Sequence, residues 1–169
     1  MTTRVALVTG GIGGIGTSIC RQLAQAGHRV ATNYRDRAKA EAWQAAQKAD
    51  GFDFVIASGD VSDVAAAEAM VREVEAKAGP VDILINNAGI TRDTTFHKMS
   101  AMQWQEVINT NLNSCYNVPR PVIDGMRTRK WGRIVNLASA LGLVGLAGRT
   151  PYTASKGAVV QMTRTLALE

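Results

Sequence analysis

The stretch that decides the fold is Val5 to Gly16, VALVTGGIGGIG, a short apolar run that ends in a cluster of glycines. The run is typical of a buried strand, and from Ile15 the apolar residues change to helical spacing. Glycines between a strand and a helix allow a tight turn and let a ligand approach the positive end of the helix dipole. The stretch therefore predicts a strand–turn–helix unit that binds the phosphates of a dinucleotide.

The same alternation of apolar runs and helical patterns continues along the chain. Further strands are predicted over 29–33, 54–57, 81–85 and 133–137. Helices are predicted over 37–50, 64–77, 102–126 and 152–168, with the helix over 102–126 divided into two segments near Asn111. Strands that are apolar throughout and separated by helices form parallel sheets covered on both faces. The sequence therefore predicts an α/β fold, a doubly wound parallel sheet of the Rossmann type, in a single domain over residues 1–169.

Composition narrows the possible functions. Of the 169 residues 46% are hydrophobic, and 19 basic residues stand against 14 acidic ones. The basic residues are scattered and aromatics make up only 5%, so nucleic acid is not an expected partner. No signal peptide and no run of 18 apolar residues is present, so no membrane association is expected either. Cys20 and Cys115 are unpaired and no histidine cluster accompanies them, which predicts a cytoplasmic protein without a metal site.

The glycine loop fits two spacings, Gly-x-Gly-x-x-Gly and Thr-Gly-x-x-x-Gly-x-Gly, and the residues downstream decide between them. Polar elements follow the later strands or begin the later helices: Asp60-Val61, Asn86-Asn87-Ala88-Gly89, Asn111, Ser139 and Tyr152-Thr153-Ala154-Ser155-Lys156. In this order, with Tyr-x-x-x-Lys thirteen residues after Ser139, they resemble the short-chain dehydrogenase/reductase family.

This resemblance implies both a catalytic set and a cofactor site. The implied catalytic residues are Asn111, Ser139, Tyr152 and Lys156. The implied cofactor-binding residues are Thr9, Gly10, Gly14, Ile15, Gly16, Asp60, Val61, Asn87, Ala88, Gly89, Tyr152 and Lys156. In this family the cofactor is a nicotinamide dinucleotide, and the reaction interconverts a carbonyl and an alcohol.

The chemistry agrees with the spacing of the last element. On a helix, Tyr152 and Lys156 lie at positions i and i+4 and share one face. A nearby ammonium favours the phenolate form of a tyrosine, so Lys156 is expected to assist proton transfer by Tyr152. Ser139 is expected to hydrogen-bond the reacting oxygen. Asn111 is expected to hold a water that connects Lys156 to solvent.

The end of the second predicted strand bears on the choice of dinucleotide. NAD-dependent members of such folds carry an acid there that binds the ribose 2′-hydroxyl. Here Tyr34 stands at that point, and Arg35 follows, with a guanidinium suited to a 2′-phosphate. The sequence therefore favours NADP(H), with Arg35 as a cofactor-binding residue. The opposing case is Asp36, which a shift of one or two residues in the strand boundary would bring into reach.

Within the family, several segments resemble acetoacetyl-CoA reductases. These segments are Val8 to Thr17, Gly51 to Phe54, Asn86 to Asp93, Val122 to Met126 and Trp131 to Asn136. They imply reduction of a 3-oxoacyl thioester to the 3-hydroxyacyl thioester, a step of polyhydroxybutyrate synthesis. The 3-oxoacyl-acyl-carrier-protein reductases share the stretch from Asn86 to Asp93, so that activity is an alternative.

Two departures from the family pattern keep other functions open. Residues 140–151 lack the glutamines that acetoacetyl-CoA reductases tend to carry, and 152–169 resembles polyol and sugar-acid dehydrogenases more closely. The chain also ends inside the last predicted helix, whereas family members continue for about another third. The resemblance therefore implies a C-terminally truncated fold, and a dinucleotide-binding remnant without catalysis is a further alternative. The helices around Asn111 and from Tyr152 imply a homo-oligomer, either a tetramer or a dimer.

Overall fold

The computed structural model describes residues 2–169 and contains a five-stranded sheet. The strands are β1 (Val5–Val8), β2 (Arg29–Tyr34), β3 (Val55–Ser58), β4 (Val81–Asn86) and β5 (Arg133–Asn136). Their order across the sheet is β3-β2-β1-β4-β5, and every neighbouring pair is parallel. The predicted doubly wound parallel sheet is therefore confirmed.

Seven α-helices connect or follow the strands in the described part of the chain. They are α1 (Gly14–Gln25), α2 (Arg37–Ala49), α3 (Val64–Ala78), α4 (Ala101–Ile108), α5 (Ser114–Asn117), α6 (Pro119–Thr128) and α7 (Thr150–Leu166). Local sequence sets several of the helix ends. The Asp36 and Asp63 side chains accept hydrogen bonds from Lys39 N and Ala66 N and so cap α2 and α3. Gly79, at φ +100°, ends α3.

Both faces of the sheet are buried, which explains the continuously apolar strands. On one face Leu7 packs with Met70 and Val74 of α3 and with Val122 of α6. On the other face the side chains of Ala6, Val8 and Val30 pack with Cys20 of α1 and with Phe54. Neighbouring residues of β1 thus face opposite layers, as the alternation of side chains along a strand requires.

The long helix expected over 102–126 is not one continuous α-helix. Residues Asn109–Asn113 form a π-helical turn between α4 and α5, and a further boundary falls before Pro119, the first residue of α6. Proline is tolerated in the first turn of a helix, where its missing N–H is not needed. The division into two segments predicted near Asn111 falls at this π-helical turn, and the additional boundary at Pro119 is a correction.

The order of the strands determines where a ligand can bind. β1 lies between β2 and β4, so the connections leaving β1 and β4 diverge to opposite sides of the sheet. In open α/β sheets, ligands bind in the crevice at the carboxyl ends of the strands where this reversal occurs. The glycine loop after β1 and residues 87–90 after β4 form the two sides of this crevice. No helix within residues 2–169 is both long and apolar enough to cross a bilayer.

Candidate active site

The glycine loop turns tightly because two of its residues must lack a side chain. Gly10 has φ +65°, in the left-handed region that glycine adopts without strain. A Cβ on Gly16 would overlap Gly10 O and would lie 2.6 Å from Gly11 Cα. The start of α1 therefore packs directly on the backbone of the preceding turn. This contact aims the N-terminus of α1 into the crevice.

Polar side chains at the end of β2 hold the loop in place. Asn33 is buried, and its Oδ1 accepts a hydrogen bond from Gly10 N at 2.8 Å. Its Nδ2 donates to Gly59 O, at the end of β3, at 2.9 Å. Thr32 Oγ1 accepts from Gly11 N at 2.8 Å. These hydrogen bonds within the protein thus fix the ends of β1, β2 and β3 relative to one another.

The segment after β4 is tied to the same loop from the other side. Asn87 Nδ2 donates to Thr9 O at 2.9 Å and to Gly10 O at 3.2 Å. Thr9 Oγ1 accepts from Asn87 N and Ala88 N at 3.0 and 3.1 Å. Thr9 is fully buried beneath the crevice and does not line it. The structure thus places this predicted cofactor-binding residue behind the pocket, where it shapes the loop through hydrogen bonds.

A cavity of about 430 Å³ fills the crevice, within the range of small-molecule and cofactor sites. Ten of the residues predicted to bind the cofactor line it: Gly10, Gly14, Ile15, Gly16, Arg35, Asp60, Val61, Asn87, Ala88 and Gly89. Six further residues line the cavity although the sequence did not predict a cofactor contact for them: Ile12, Gly13, Asn33, Tyr34, Ile90 and Thr110. Asn33 could have been found from the sequence, because it is a polar residue at the end of a buried strand.

Arg35 and Asp60 form an ion pair at the rim of this cavity, with Arg35 Nη1 3.5 Å from Asp60 Oδ2. Partial burial raises the pKa of the Asp60 carboxyl. Hydrogen bonds from Ser62 and the charge of Arg35 outweigh that effect, so the pKa lies below its usual value. Asp36 caps α2 and is not among the residues that line the cavity. Asp36, the alternative candidate for binding the ribose 2′-hydroxyl, therefore caps a helix instead.

The residues present fit a dinucleotide. Gly14, the first residue of α1, lines the cavity and has no atom within 4 Å of where a Cβ would stand. The first turn of α1 carries no acidic residue, so its free N–H groups and dipole are available to an anion. The cavity runs from this helix end toward Arg35 and Asp60 on one side and Gly89 on the other. The residues that line the cavity thus supply free N–H groups, a guanidinium and a carboxylate, which are groups that a dinucleotide can use.

Tyr152 and Lys156 lie on α7, and neither is among the residues that line the cavity. Lys156 is buried, and its Nζ is 5.8 Å from the centre of the Tyr152 ring. A Cβ on Gly89 would lie 3.8 Å from that Nζ, so the lysine adjoins the end of the dinucleotide cavity. The ammonium donates a hydrogen bond to Leu137 O, just beyond β5. Burial lowers the pKa of Lys156, because the charged form loses solvation.

Ser139 lies three residues beyond the end of β5 and is half-buried. Its Oγ accepts from Leu141 N at 3.2 Å, and its carbonyl accepts from Gly142 N at 2.9 Å. These bonds form a 3-10 turn, Ala140–Gly142, which sits against α7. This turn was not predicted from the sequence. The turn places Ser139 next to the helix that carries Tyr152.

Asn111 lies in the π-helical turn and is buried. Its Oδ1 accepts from Ile90 N at 2.8 Å, and its Nδ2 donates to Ile90 O at 3.0 Å and to Ser155 Oγ at 3.3 Å. The side-chain amide therefore links the segment after β4 to α7. Both ends of the amide have protein partners, and the backbone carbonyl accepts a hydrogen bond from Cys115 Sγ. The water contact expected of this residue stays a prediction.

A second link joins the two segments that flank Tyr152. Thr94 N donates to Gly148 O at 3.1 Å, and Arg149 Nη2 lies 2.8 Å from Asp93 Oδ2. Arg149 immediately precedes α7. The segment before α7 is thus attached to the segment that follows β4.

The fold and the site together define the class of protein: a dinucleotide-binding α/β oxidoreductase. The sequence profile of the family described as short chain dehydrogenase matches residues 4–169. The chain belongs to this family.

Individual relatives agree with that assignment. Nodulation protein G of Azospirillum brasilense is 51% identical over 170 residues, which cover 100% of this chain and 69% of that protein. An acetoacetyl-CoA reductase of Allochromatium vinosum is 50% identical over 168 residues, covering 98% of this chain and 68% of that protein. The chain is also similar to the crystal structure of a gluconate 5-dehydrogenase from Burkholderia cenocepacia in complex with NADP and tartrate, with a TM-score of 0.92. The two sequences are 34% identical, and the match covers 99% of this chain and 66% of that chain. The chain thus spans about two thirds of the length of these relatives.

Proposed function

We propose that the protein reduces a 3-oxoacyl thioester, acetoacetyl-CoA, to the 3-hydroxyacyl thioester with NADPH. The observation that carries the proposal is the placement of Lys156 Nζ beside Gly89, where the dinucleotide cavity ends, on the same helix as Tyr152 and next to the Ser139 turn. A carbonyl-reducing enzyme needs a proton donor and an oxygen-binding group at the place where hydride arrives. The similarity to acetoacetyl-CoA reductases supports the choice of substrate.

The chain's own residues account for binding of the cofactor. The N–H groups at the start of α1, from Gly14 and Ile15, would bind the pyrophosphate. Asp60 and Val61 would contact the adenine, and Arg35 would bind the 2′-phosphate. Lys156 and Tyr152 would hold the nicotinamide ribose. The position of Asp36 in the cap of α2 supports NADPH over NADH, because it leaves Arg35 as the charged group at the end of β2.

The cofactor, when bound, supplies the hydride that adds to the carbonyl carbon. Tyr152 donates its phenolic proton to the carbonyl oxygen, which becomes the hydroxyl of the product. The resulting phenolate is stabilised by the Lys156 ammonium, and it regains a proton from solvent through Lys156 and water held near Asn111. Ser139 donates a hydrogen bond to the same carbonyl oxygen and orients it. In the reverse direction, Tyr152 removes that proton.

The loop before α7 favours an acyl group over a sugar. Leu143, Val144 and Leu146 are exposed, and the hydrogen bond from Thr94 to Gly148 holds their loop to the segment after β4. Apolar side chains beside a polar catalytic group suit a substrate whose carbonyl is attached to a hydrocarbon chain.

A steady-state assay of NADPH oxidation on the full-length protein tests the proposal. We expect turnover with acetoacetyl-CoA and a lower kcat/KM with the same acyl group on an acyl carrier protein. The reverse order would favour the acyl-carrier-protein reductase alternative. A flat trace with both substrates, together with measurable NADPH binding, would favour a dinucleotide-binding remnant without catalysis.

A second candidate, oxidation or reduction of a sugar acid, has two observations in its favour. The gluconate 5-dehydrogenase has nearly the same fold as this chain, and residues 140–151 carry none of the glutamines expected in an acetoacetyl-CoA reductase. The same assay with 5-ketogluconate in place of the thioester separates the two. Turnover of the sugar acid alone would overturn the thioester proposal.

Self-association and a cytoplasmic location complete the proposal. Exposed apolar residues on the helices that flank the site, including Tyr116 on α5 and Leu166 on α7, support a dimer or tetramer. Cys20 and Cys115 are both buried as free thiols, which agrees with a reducing compartment. Sedimentation of the purified protein would test the oligomer, and a monomer at micromolar concentration would contradict it.

A further inference from the structure

The turn that follows Ser139 meets the catalytic helix backbone to backbone. A Cβ on Gly142 would lie 2.8 Å from both the carbonyl carbon and the carbonyl oxygen of Lys156, and 3.0 Å from Gly157 N. A Cβ on Gly157 would in turn lie 3.2 Å from Gly142 O. Every one of these neighbours is a main-chain atom. The contact therefore cannot be relieved by rotating a side chain. It excludes a Cβ at Gly142 unless the backbone moves, and it leaves a Cβ at Gly157 with a tight contact.

The same turn is bonded directly to Ser139. Gly142 N donates to Ser139 O at 2.9 Å, and Leu141 N donates to Ser139 Oγ at 3.2 Å. Four residues are thus closed into one hydrogen-bonded turn, with Ser139 at one end and Gly142 at the other. A displacement of Gly142 would be passed to the Ser139 hydroxyl.

Two other contacts fix α7 to the end of β5 on either side of this point. Lys156 Nζ donates to Leu137 O, and Asn136 Nδ2 donates to Thr163 Oγ1 at 2.9 Å. These contacts hold α7 through side chains, which can adapt by changing rotamer. The glycine contact is the one at which main chain meets main chain, so it sets how closely the Ser139 turn approaches the helix.

We propose that Gly142 and Gly157 are positioning residues that set the spacing between Ser139 and the Tyr152–Lys156 pair. Their role is to act through other groups, since neither has a side chain that could touch a substrate. The inference rests on the proposed carbonyl reduction, in which Ser139 and Tyr152 bind the same oxygen. A change in this spacing would affect the rate of the chemical step more than binding of the dinucleotide, because most of the proposed dinucleotide contacts lie in the cavity, which neither glycine lines.

Replacement of Gly142 by alanine in the full-length protein tests the inference. The new methyl group would separate the two backbones by roughly half an ångström, and we expect kcat to fall about ten-fold. NADPH affinity should stay within two-fold of the wild-type value, because the substitution lies outside the dinucleotide cavity. Gly125→Ala is the matched control. Its Cβ would lie 2.9 Å from Arg129 Nη1, the end of a long side chain on the residue that follows α6, so kcat should not change.

A double-mutant cycle shows whether Gly142 acts through Ser139. We expect Gly142→Ala to cost little further activity in a Ser139→Ala background, because the hydroxyl whose position it disturbs is already absent. An equal fold-loss in both backgrounds would overturn the inference, and so would a wild-type kcat in Gly142→Ala. A purely structural role would lower Tm while leaving kcat per folded molecule unchanged, and that result also counts against it.

Gly157→Ala provides a second variant if Gly142→Ala does not fold. Its Cβ contact of 3.2 Å is looser than the contact at Gly142, so a smaller loss of kcat, of several-fold, is expected. Full activity in Gly157→Ala would overturn the inference. Active wild-type protein with an equally active Gly142→Ala variant would contradict the positioning role alone, whereas inactive wild-type protein would overturn the proposed function and the inference together.

Discussion

Arg35 Nη1 lies 3.5 Å from Asp60 Oδ2, so the guanidinium at the end of β2 is held by a carboxylate from the end of β3. Both side chains are partly exposed, and an ion pair of this kind contributes little to stability. The ion pair instead orients the Arg35 guanidinium, since it keeps that side chain at the rim of the cavity. A phosphate arriving there would compete with Asp60 for the same guanidinium.

Arg35→Ala should therefore change cofactor preference. Loss of charge-assisted hydrogen bonds worth about 1.5–3 kcal/mol predicts a ten- to hundred-fold lower kcat/KM with NADPH. The value with NADH should change little, because that cofactor has no 2′-phosphate. Arg37→Ala is the matched control, since Arg37 pairs with Glu41 on α2 and does not line the cavity. A wild-type preference for NADH would refute the role of Arg35.

Tyr152→Phe removes the proton donor without changing the shape of the ring. We expect kcat to fall by about a hundred-fold or more, the range for loss of a general acid. Fluorescence titration should show that NADPH still binds, because most of the cavity wall is distant from the phenol oxygen. A Phe variant that retains most of its rate would mean that another group donates the proton.

Replacing two glycines of the loop by alanine should change different properties, stability for Gly16 and NADPH affinity for Gly14. Gly16→Ala brings a methyl group against the backbone of Gly10 and Gly11, and we expect the protein to lose about 1–3 kcal/mol of stability. Gly14→Ala meets no protein atom and should leave Tm unchanged, but it places a methyl group in the cavity. NADPH affinity of the Gly14 variant should fall about ten-fold. Thermal melts and binding titrations on both variants would show whether the two effects separate.

Asn33→Ala should weaken binding of NADPH and NADH alike. The substitution leaves Gly10 N and Gly59 O without their partner, at a cost of about 1–3 kcal/mol for each buried group. The loop would then be less well ordered for either dinucleotide. Asn113→Ala, on an exposed helical position, is the control and should have little effect. A loss confined to NADPH would show that Asn33 acts on the 2′-phosphate instead of the loop.

Lys156→Met should reveal the effect of burial on the lysine through pH. The pKa of Lys156 is lowered from 10.5 by burial, so between the two values the unfolded chain binds more protons than the folded one. Stability of the wild type therefore rises with pH across that window. We expect the free energy of unfolding of the wild type to increase relative to the Met variant between pH 7 and 10. Denaturant titrations at both pH values measure the change, and a trend in the opposite direction would contradict it.

Much of the fold could be predicted because its signals are local. The run from Val5 to Gly16 gives strand, turn and helix within twelve residues, and the structure places them as expected. The Tyr152–Lys156 spacing needs only one turn of helix. These features depend on propensity and periodicity, which neighbouring residues in the sequence determine.

The remaining features depend on contacts between distant parts of the chain. Asn33 bonds residues 23 and 26 positions away, and nothing next to it in the sequence indicates those partners. Gly142 reads as one glycine among several in an irregular loop, and only its packing on Lys156 gives it a role. Asp36 could be taken for a ribose ligand until its side chain is seen to cap α2. Tertiary packing decides such positions.

The hydrogen bonds from Asn87 to Thr9 and Gly10 also have a consequence for synthesis of the protein. They join residues 78 and 77 positions apart, and β1 needs both β2 and β4 as neighbours. Chains emerge from the ribosome N-terminus first. A nascent chain of sixty residues would already contain the phosphate loop, yet it would lack one wall of the cavity. The dinucleotide can therefore be captured only after the polypeptide from β4 to Gly89 has left the ribosome.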